Sequence, residues 1–144
     1  MQSKSNNDFY EITWLIRRLF RAMAQTTNDR LLGYNISAAD RAVLEFLYPD
    51  KHLAVPEVAS RYRVSRQHIQ ATANDLIKKK LLTTTKNPQH KRSSLLSLTG
   101  RGRELFARIR EEEQQILRDL FSGVDHEDAQ ITRATLQALL DKLI

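Results

Sequence analysis

The chain has 144 residues, 41% of them hydrophobic, with 23 Lys+Arg against 17 Asp+Glu and no cysteine. That hydrophobic fraction is enough to bury a core and argues against a disordered chain, while the lack of thiols excludes disulfides, thiolate metal sites and cysteine-based redox switching. The charge is unevenly placed: residues 37–99 carry 11 Lys+Arg against 5 Asp+Glu, a net of +6, and the remainder carries 12 of each, so the whole excess sits on one segment whose natural partner is a polyanion.

Residues 1–8 are polar, with no apolar stretch of signal-peptide length. No run approaches the roughly 20 apolar residues needed to span a bilayer. The expectation is a soluble, cytoplasmic chain with no membrane partner. From Asp8 to about Leu31, Ile12, Leu15, Ile16, Leu19, Phe20 and Met23 recur at steps of three and four, with Arg17, Arg18 and Arg21 between them. That period predicts one long amphipathic helix, broken at Gly33 and Asn35.

Ser37-Ala38-Ala39-Asp40 has the form of a capping box and opens a second helix, with Val43, Leu44, Phe46 and Leu47 on its buried face. Pro49 and Asp50 end it, and Leu53 and Ala54 suit a very short strand. Pro56 starts a third helix, where a missing N–H costs nothing, with Val58, Ala59 and Tyr62 facing inward. A turn at Arg63-Val64 leads to Ser65, which caps a fourth helix running to about Lys79, with Ile69, Thr72, Ala73, Leu76 and Ile77 inside.

Leu82 to Lys86 reads as a strand, Asn87-Pro88-Gln89-His90 as a turn and Ser93 to Leu98 as the returning strand. Thr99 begins a long helix to about Phe121, with Glu111, Glu112 and Glu113 in its middle. Asp125 caps a last helix lined by Ile131, Leu136, Leu139, Leu140, Leu143 and Ile144.

The order helix, turn, helix, basic hairpin is a device for gripping duplex DNA. A recognition helix presents its first turns to base edges. With Ser65 as cap, those turns hold Arg66, Gln67, His68 and Gln70, with Asn74 one turn beyond. Arginine donates twice to guanine, and glutamine and asparagine pair with adenine in the same two-pronged way. An isolated helix of this composition would read equally as a solvated polar face. Lys78, Lys79 and Lys80 close the helix, where cations suit the dipole with or without a phosphate nearby. On the hairpin, His90, Lys91 and Arg92 are placed to meet phosphates or a minor groove, or form an ordinary charged turn.

Ser37-Ala38-Ala39-Asp40 before an apolar helix, Val64-Ser65-Arg66-Gln67 opening another, Asn87-Pro88-Gln89-His90-Lys91-Arg92, and Leu96-Ser97-Leu98-Thr99-Gly100-Arg101-Gly102 together resemble the MarR-type winged-helix transcription regulators. The resemblance runs from about Asp8 to the C-terminus, and the wing followed by Leu-Thr-x-x-Gly is its specific part. It implies a mainly α fold with a small β-hairpin wing: an N-terminal dimerisation helix over residues 1–34, a winged helix-turn-helix DNA-binding region over 35–99 and C-terminal dimerisation helices over 100–144. It also implies a homodimer with interlocked terminal helices, a pseudo-palindromic operator on double-stranded DNA and, often, control by a small molecule. Three residues depart from the family pattern. His90 stands where an aspartate usually pairs with a wing arginine, Lys80 replaces the usual glycine after the recognition helix, and Ala71 replaces a bulkier polar or basic residue.

The residues argue for the dimer independently, because a monomer would leave the broad apolar faces of the terminal helices in water. The alternative is that those faces pack on the chain's own core. In a twofold pair the half-sites would lie about 10 base pairs apart. The four histidines show no metal-ligand spacing, and phosphate loops, nucleophile elbows and dinucleotide fingerprints are absent, so neither an enzyme nor a cofactor is expected. The Glu111–Glu113 run suits a solvated helix face better than a metal site. Trp14 near Arg17 could line a pocket for a small aromatic or anionic effector, or serve as a core or interface aromatic. Two further functions fit less well: a winged-helix module for an acidic protein, and a non-specific architectural DNA binder.

Overall fold

A computed structural model describes residues 2–144, and side chains from residue 4; Met1, at the start of the expected dimerisation helix, lies outside the described residues. Six helices and three short strands follow in chain order among the described residues: α1 (Gln2–Leu31), a single 3-10 turn (Leu32–Tyr34), α2 (Ala38–Leu47), β1 (Leu53–Ala54), α3 (Val55–Tyr62), α4 (Arg66–Lys78), β2 (Leu82–Lys86), β3 (Ser94–Leu98), α5 (Gly100–Leu120) and α6 (His126–Leu143). The fold is mainly α with a winged helix-turn-helix, as expected. The first helix starts six residues earlier than the apolar period indicates, because its polar first turns carry no hydrophobic signal.

The hairpin is part of a three-stranded antiparallel sheet in the order β1-β3-β2. Leu82 pairs with Leu98 and Lys86 with Ser94, and Leu53 pairs with Leu96 on the other edge. Leu82, Leu96 and Leu98 are buried, so the base of the wing is anchored in the core while its tip is free.

Local chemistry sets the helix starts. Ser37 Oγ accepts from the Asp40 N–H at 3.1 Å, and Asp40 Oδ2 accepts from the Ser37 N–H at 3.0 Å, a complete capping box. At α4, Ser65 Oγ accepts from the His68 N–H at 3.0 Å. Asp125 occupies the N-cap of α6 as expected, but its side chain makes no cap bond there.

Three elements end in the same way. Asn35, Arg63 and Lys80 adopt left-handed backbone with φ of 56°, 60° and 62°. In each case the next residue's N–H reaches back five positions: Ile36 to Leu31, Val64 to Ala59 and Leu81 to Leu76. This is the Schellman closure, which satisfies carbonyls a helix end would otherwise orphan. Glycine is the usual residue at that point, so these positions carry the cost of a side chain on left-handed backbone.

The core of the unit ending at Phe106 is built on Val43, Leu44, Leu47, Val58, Ile69, Leu76, Leu96 and Phe106. Tyr48 meets the Phe106 ring edge-on at 5.1 Å, and the Arg41 guanidinium lies 5.7 Å over the same ring. Three expected core residues are not inside, Phe46 being half-buried. Tyr62 is 42% exposed and Ile77 is 37% exposed. Each sits at the rim of its helix's buried arc, where spacing alone does not separate core from edge; Tyr62 instead meets Phe46 edge-on at 5.7 Å.

At the wing base, Thr99 donates from Oγ1 to the Lys80 carbonyl at 2.7 Å and accepts there from the Gly102 N–H at 3.0 Å. A Cβ on Gly102 would run into the Leu81 carbonyl oxygen, which gives a steric reason for glycine in the Leu-Thr-x-x-Gly junction.

The terminal helices leave apolar residues in water. On α1, Phe9, Tyr10, Trp14, Leu15, Leu19 and Phe20 are exposed. Residues 107–144 form a separate compact unit; α6 has no buried residue, and Leu136, Leu139, Leu140 and Leu143 are exposed. Among the described residues no helix is long and apolar enough to cross a membrane.

Candidate nucleic-acid interface

Helix α4 buries Ile69, Thr72, Ala73 and Leu76 along one side. Helical geometry then places Gln67, Ala71, Asn74 and Lys78 along the opposite, outward line, and all four are exposed. Arg66 and Gln70 flank that line on one side and His68 and Asp75 on the other. The buried Thr72 hydroxyl is satisfied by the His68 carbonyl at 3.0 Å.

Between α4, the start of α3 and the two wing strands lies an open groove of about 520 Å3. Arg66, Gln67, Gln70 and Asn74 line it from α4, and Arg92 lines it from the wing. Five of the expected site residues, read from segments about 20 residues apart, thus share one surface. Within it Gln70 Nε2 donates to Asn74 Oδ1 at 3.0 Å. Thr84, Ser93 and Ser94 also line the groove; the sequence reading placed none of them there, and hydroxyl residues on a hairpin give no distinctive signal.

The other expected residues are placed differently. Ser65 spends its hydroxyl on the cap of α4. His68, Lys78, His90 and Lys91 are exposed but do not line the groove. Trp14 and Arg17 are exposed on α1. Among the described residues no group of three or more His, Asp or Glu is placed to hold a metal.

The wing tip does not depend on the aspartate that His90 replaces. Asn87 organises it: its Oδ1 accepts from the Gln89 N–H at 3.0 Å, its Nδ2 donates to Ser93 Oγ at 3.2 Å, and its carbonyl accepts from the His90 N–H at 3.3 Å. A side-chain acceptor two residues back is the Asx-turn, which fixes a tight turn by itself.

The three lysines after α4 divide their roles. Lys78 is exposed on the outward line, and Lys80 supplies the left-handed turn. Lys79 turns inward. Its ammonium lies 2.7 Å from the Asn35 carbonyl, 3.1 Å from Asp40 Oδ2 and 3.0 Å from Asp75 Oδ2. Three N–H donors thus face three acceptors. Burial by itself lowers the Lys79 pKa, but hydrogen bonds to Asp75 and Asp40, with their charges, outweigh it and raise the pKa above the ordinary lysine value. Asp40, only 3% exposed, obtains in Lys79 the cation that a buried carboxylate requires.

A family model described as MarR family matches residues 34–93, the stretch from the end of α1 to the wing. An uncharacterized protein of Mycobacterium tuberculosis is 30% identical over 133 residues, covering 92% of this chain and 87% of the relative. A crystal structure of a MarR family transcription regulator superposes with a TM-score of 0.90 at 22% identity, over 98% of this chain and 93% of that one. The Staphylococcus aureus MepR–DNA complex gives 0.80 at 21% identity, over 92% and 98%. With the helix-turn-helix and the first strand and tip of the wing matched by the family model, and a relative 30% identical over 92% of the chain, this protein belongs to the MarR family.

Proposed function

We propose that the chain is a homodimeric, sequence-specific DNA-binding transcription regulator, acting as a repressor in the cytoplasm by occupying a pseudo-palindromic operator. The observation that carries this reading is the single groove surface shared by Arg66, Gln67, Gln70 and Asn74 of α4 and Arg92 of the wing. Guanidinium and amide groups are the side chains that read base edges in a major groove. In this reading Arg66, Gln67, Gln70 and Asn74 face bases, His68 faces the groove wall, and Ser65 fixes the start of the helix. Lys78, His90, Lys91 and Arg92 hold phosphates or an adjacent minor groove. MepR, similar in fold, is known in complex with DNA, which supports DNA as the partner.

The dimer is supported by the exposed apolar residues of α1 and, separately, of α6. Faces of that extent on a folded chain call for a partner surface, and a second copy supplies the two recognition helices that a pseudo-palindrome needs. An effector, if the chain has one, acts by binding the DNA-incompetent spacing of the two heads more tightly than the competent one; a small aromatic anion near Trp14 and Arg17 is the class those residues suit.

The test is selection of duplexes from a random pool, followed by titration of the selected and scrambled sequences at fixed salt. Enrichment of a sequence with twofold symmetry and preference for it of at least about 1,000-fold over scrambled duplex is the expected result. Equal, weak binding to every duplex, with tight binding to an acidic protein, would overturn it in favour of a protein-interaction module.

A further inference from the structure

We propose that Lys79 is a positioning residue for recognition: through Asn35 and Asp40 it fixes the angle of α4 against the end of α1, and thereby sets the separation of the two recognition helices in the dimer. The inference rests on the dimeric DNA-binding reading above.

Three elements meet at this one ammonium. Asp75 lies on α4 itself. Asp40 is the third residue of α2, and the oxygen that accepts from Lys79 at 3.1 Å is the one that closes the capping box with the Ser37 N–H at 3.0 Å. Asn35 is the left-handed residue that follows α1 and the 3-10 turn, and its carbonyl takes the shortest of the three bonds, 2.7 Å. The C-terminal end of the recognition helix is thus tied directly to the joint at which the proposed dimer helix ends.

The apolar side of α4 does not replace this tie. Ile69, Ala73 and Leu76 seat the helix in the core, but hydrophobic contact is non-directional and tolerates a small rotation about the seat. Charge-assisted hydrogen bonds are directional. Their position gives them leverage: α4 has 13 residues, about 20 Å at 1.5 Å per residue. A tilt of about ten degrees at Lys79 would therefore displace Arg66 by about 3 Å, close to one base-pair step.

Lys79 also engages Asp75, the only carboxylate on α4. Asp75→Asn therefore separates the two roles: it weakens that pair and leaves the bonds to Asn35 and Asp40 in place.

The chain has no cysteine, so Ala71→Cys, exposed on the outward line of α4, takes a single spin label per protomer. Pulsed dipolar spectroscopy of the full-length dimer without DNA then reads the separation of the recognition helices. A narrow distribution is expected in the Ala71→Cys protein, at least a twofold broader one after Lys79→Gln, and an unbroadened one after Asp75→Asn. Wild-type width in Lys79→Gln, or equal broadening in Asp75→Asn, overturns the inference. Lys79→Arg keeps the charge, but its planar fork does not present three diverging donors; it should broaden the distribution to a lesser degree, and it carries the test if Lys79→Gln does not fold, where an unchanged width again overturns the proposal. No inter-label signal in the Ala71→Cys background would instead remove the dimer reading.

Binding gives a second readout. On the selected operator with its half-sites moved apart by one base pair, the wild type should lose at least tenfold in affinity and Lys79→Gln no more than threefold. A wild-type profile in the variant overturns the inference; a wild type with no preferred duplex overturns the reading beneath it.

Discussion

Gln70 donates its side-chain N–H to the Asn74 side-chain carbonyl across one turn of α4, at 3.0 Å. The bond holds two exposed amides in one arrangement. Removing Gln70 therefore also frees Asn74. Gln70→Ala should cost about 1–3 kcal/mol of discrimination at one base pair, the worth of a good bidentate contact. Combined with Asn74→Ala it should give less than the sum of the two single effects. Competition titrations against an operator set with single-base changes measure both.

Arg92 faces the same groove from the wing, beside Ser93 and Ser94. Arg92→Ala should weaken binding nearly uniformly across sequences and reduce the slope of log K against log salt by about 1. Titrations at four or five salt concentrations provide the slope; a changed base preference with an unchanged slope would reassign Arg92 to base reading.

Lys80 holds a left-handed backbone at φ 62° just after α4. A glycine there closes the same Schellman turn without the Cβ clash, so Lys80→Gly should stabilise the fold by about 1 kcal/mol, less the entropy that glycine adds to the unfolded chain. Thermal unfolding should show a rise of a few degrees in Tm.

Lys79 couples stability to pH with a definite sign. Its folded pKa is raised, so its contribution is complete below the ordinary lysine value and is lost only as pH rises through the higher folded value. Lys79→Met removes the partner of the buried Asp40 and should cost about 2 kcal/mol at neutral pH. The gap in stability between wild type and variant should stay constant from about pH 7 to 9 and narrow above pH 10.4. Denaturant titrations of both proteins across that range provide the comparison.

The local features of the fold were legible in the sequence because their causes are local. Ser37 with Asp40, Pro56, and Ser65 before an apolar period each act within one turn of chain, and the structure has helices starting at those points. The wing strands were legible for the same reason. Rim positions were not, since a spacing rule assigns Tyr62 and Ile77 to the core and only three-dimensional packing leaves them half out. Lys79 was illegible in a stronger sense. In sequence it is one member of a basic run, but two of its three acceptors stand 44 and 39 residues earlier. Gly102 is similar: its motif could be seen, while the reason for it, the Leu81 carbonyl, emerges only when α5 is set against the end of α4. Asn87 reads in the sequence simply as part of a turn, and its side chain is the organiser of that turn.

The crowding at Gly102 has a mechanical consequence. Where two stretches of main chain touch with no side chain between them, nothing soft remains to absorb a displacement. A bend at the first turn of α5 must push on Leu81, and Leu81 is the residue whose N–H closes the last turn of α4. The end of α4 and the first turn of α5 are thereby held to one spacing, with no side chain between them to take up slack.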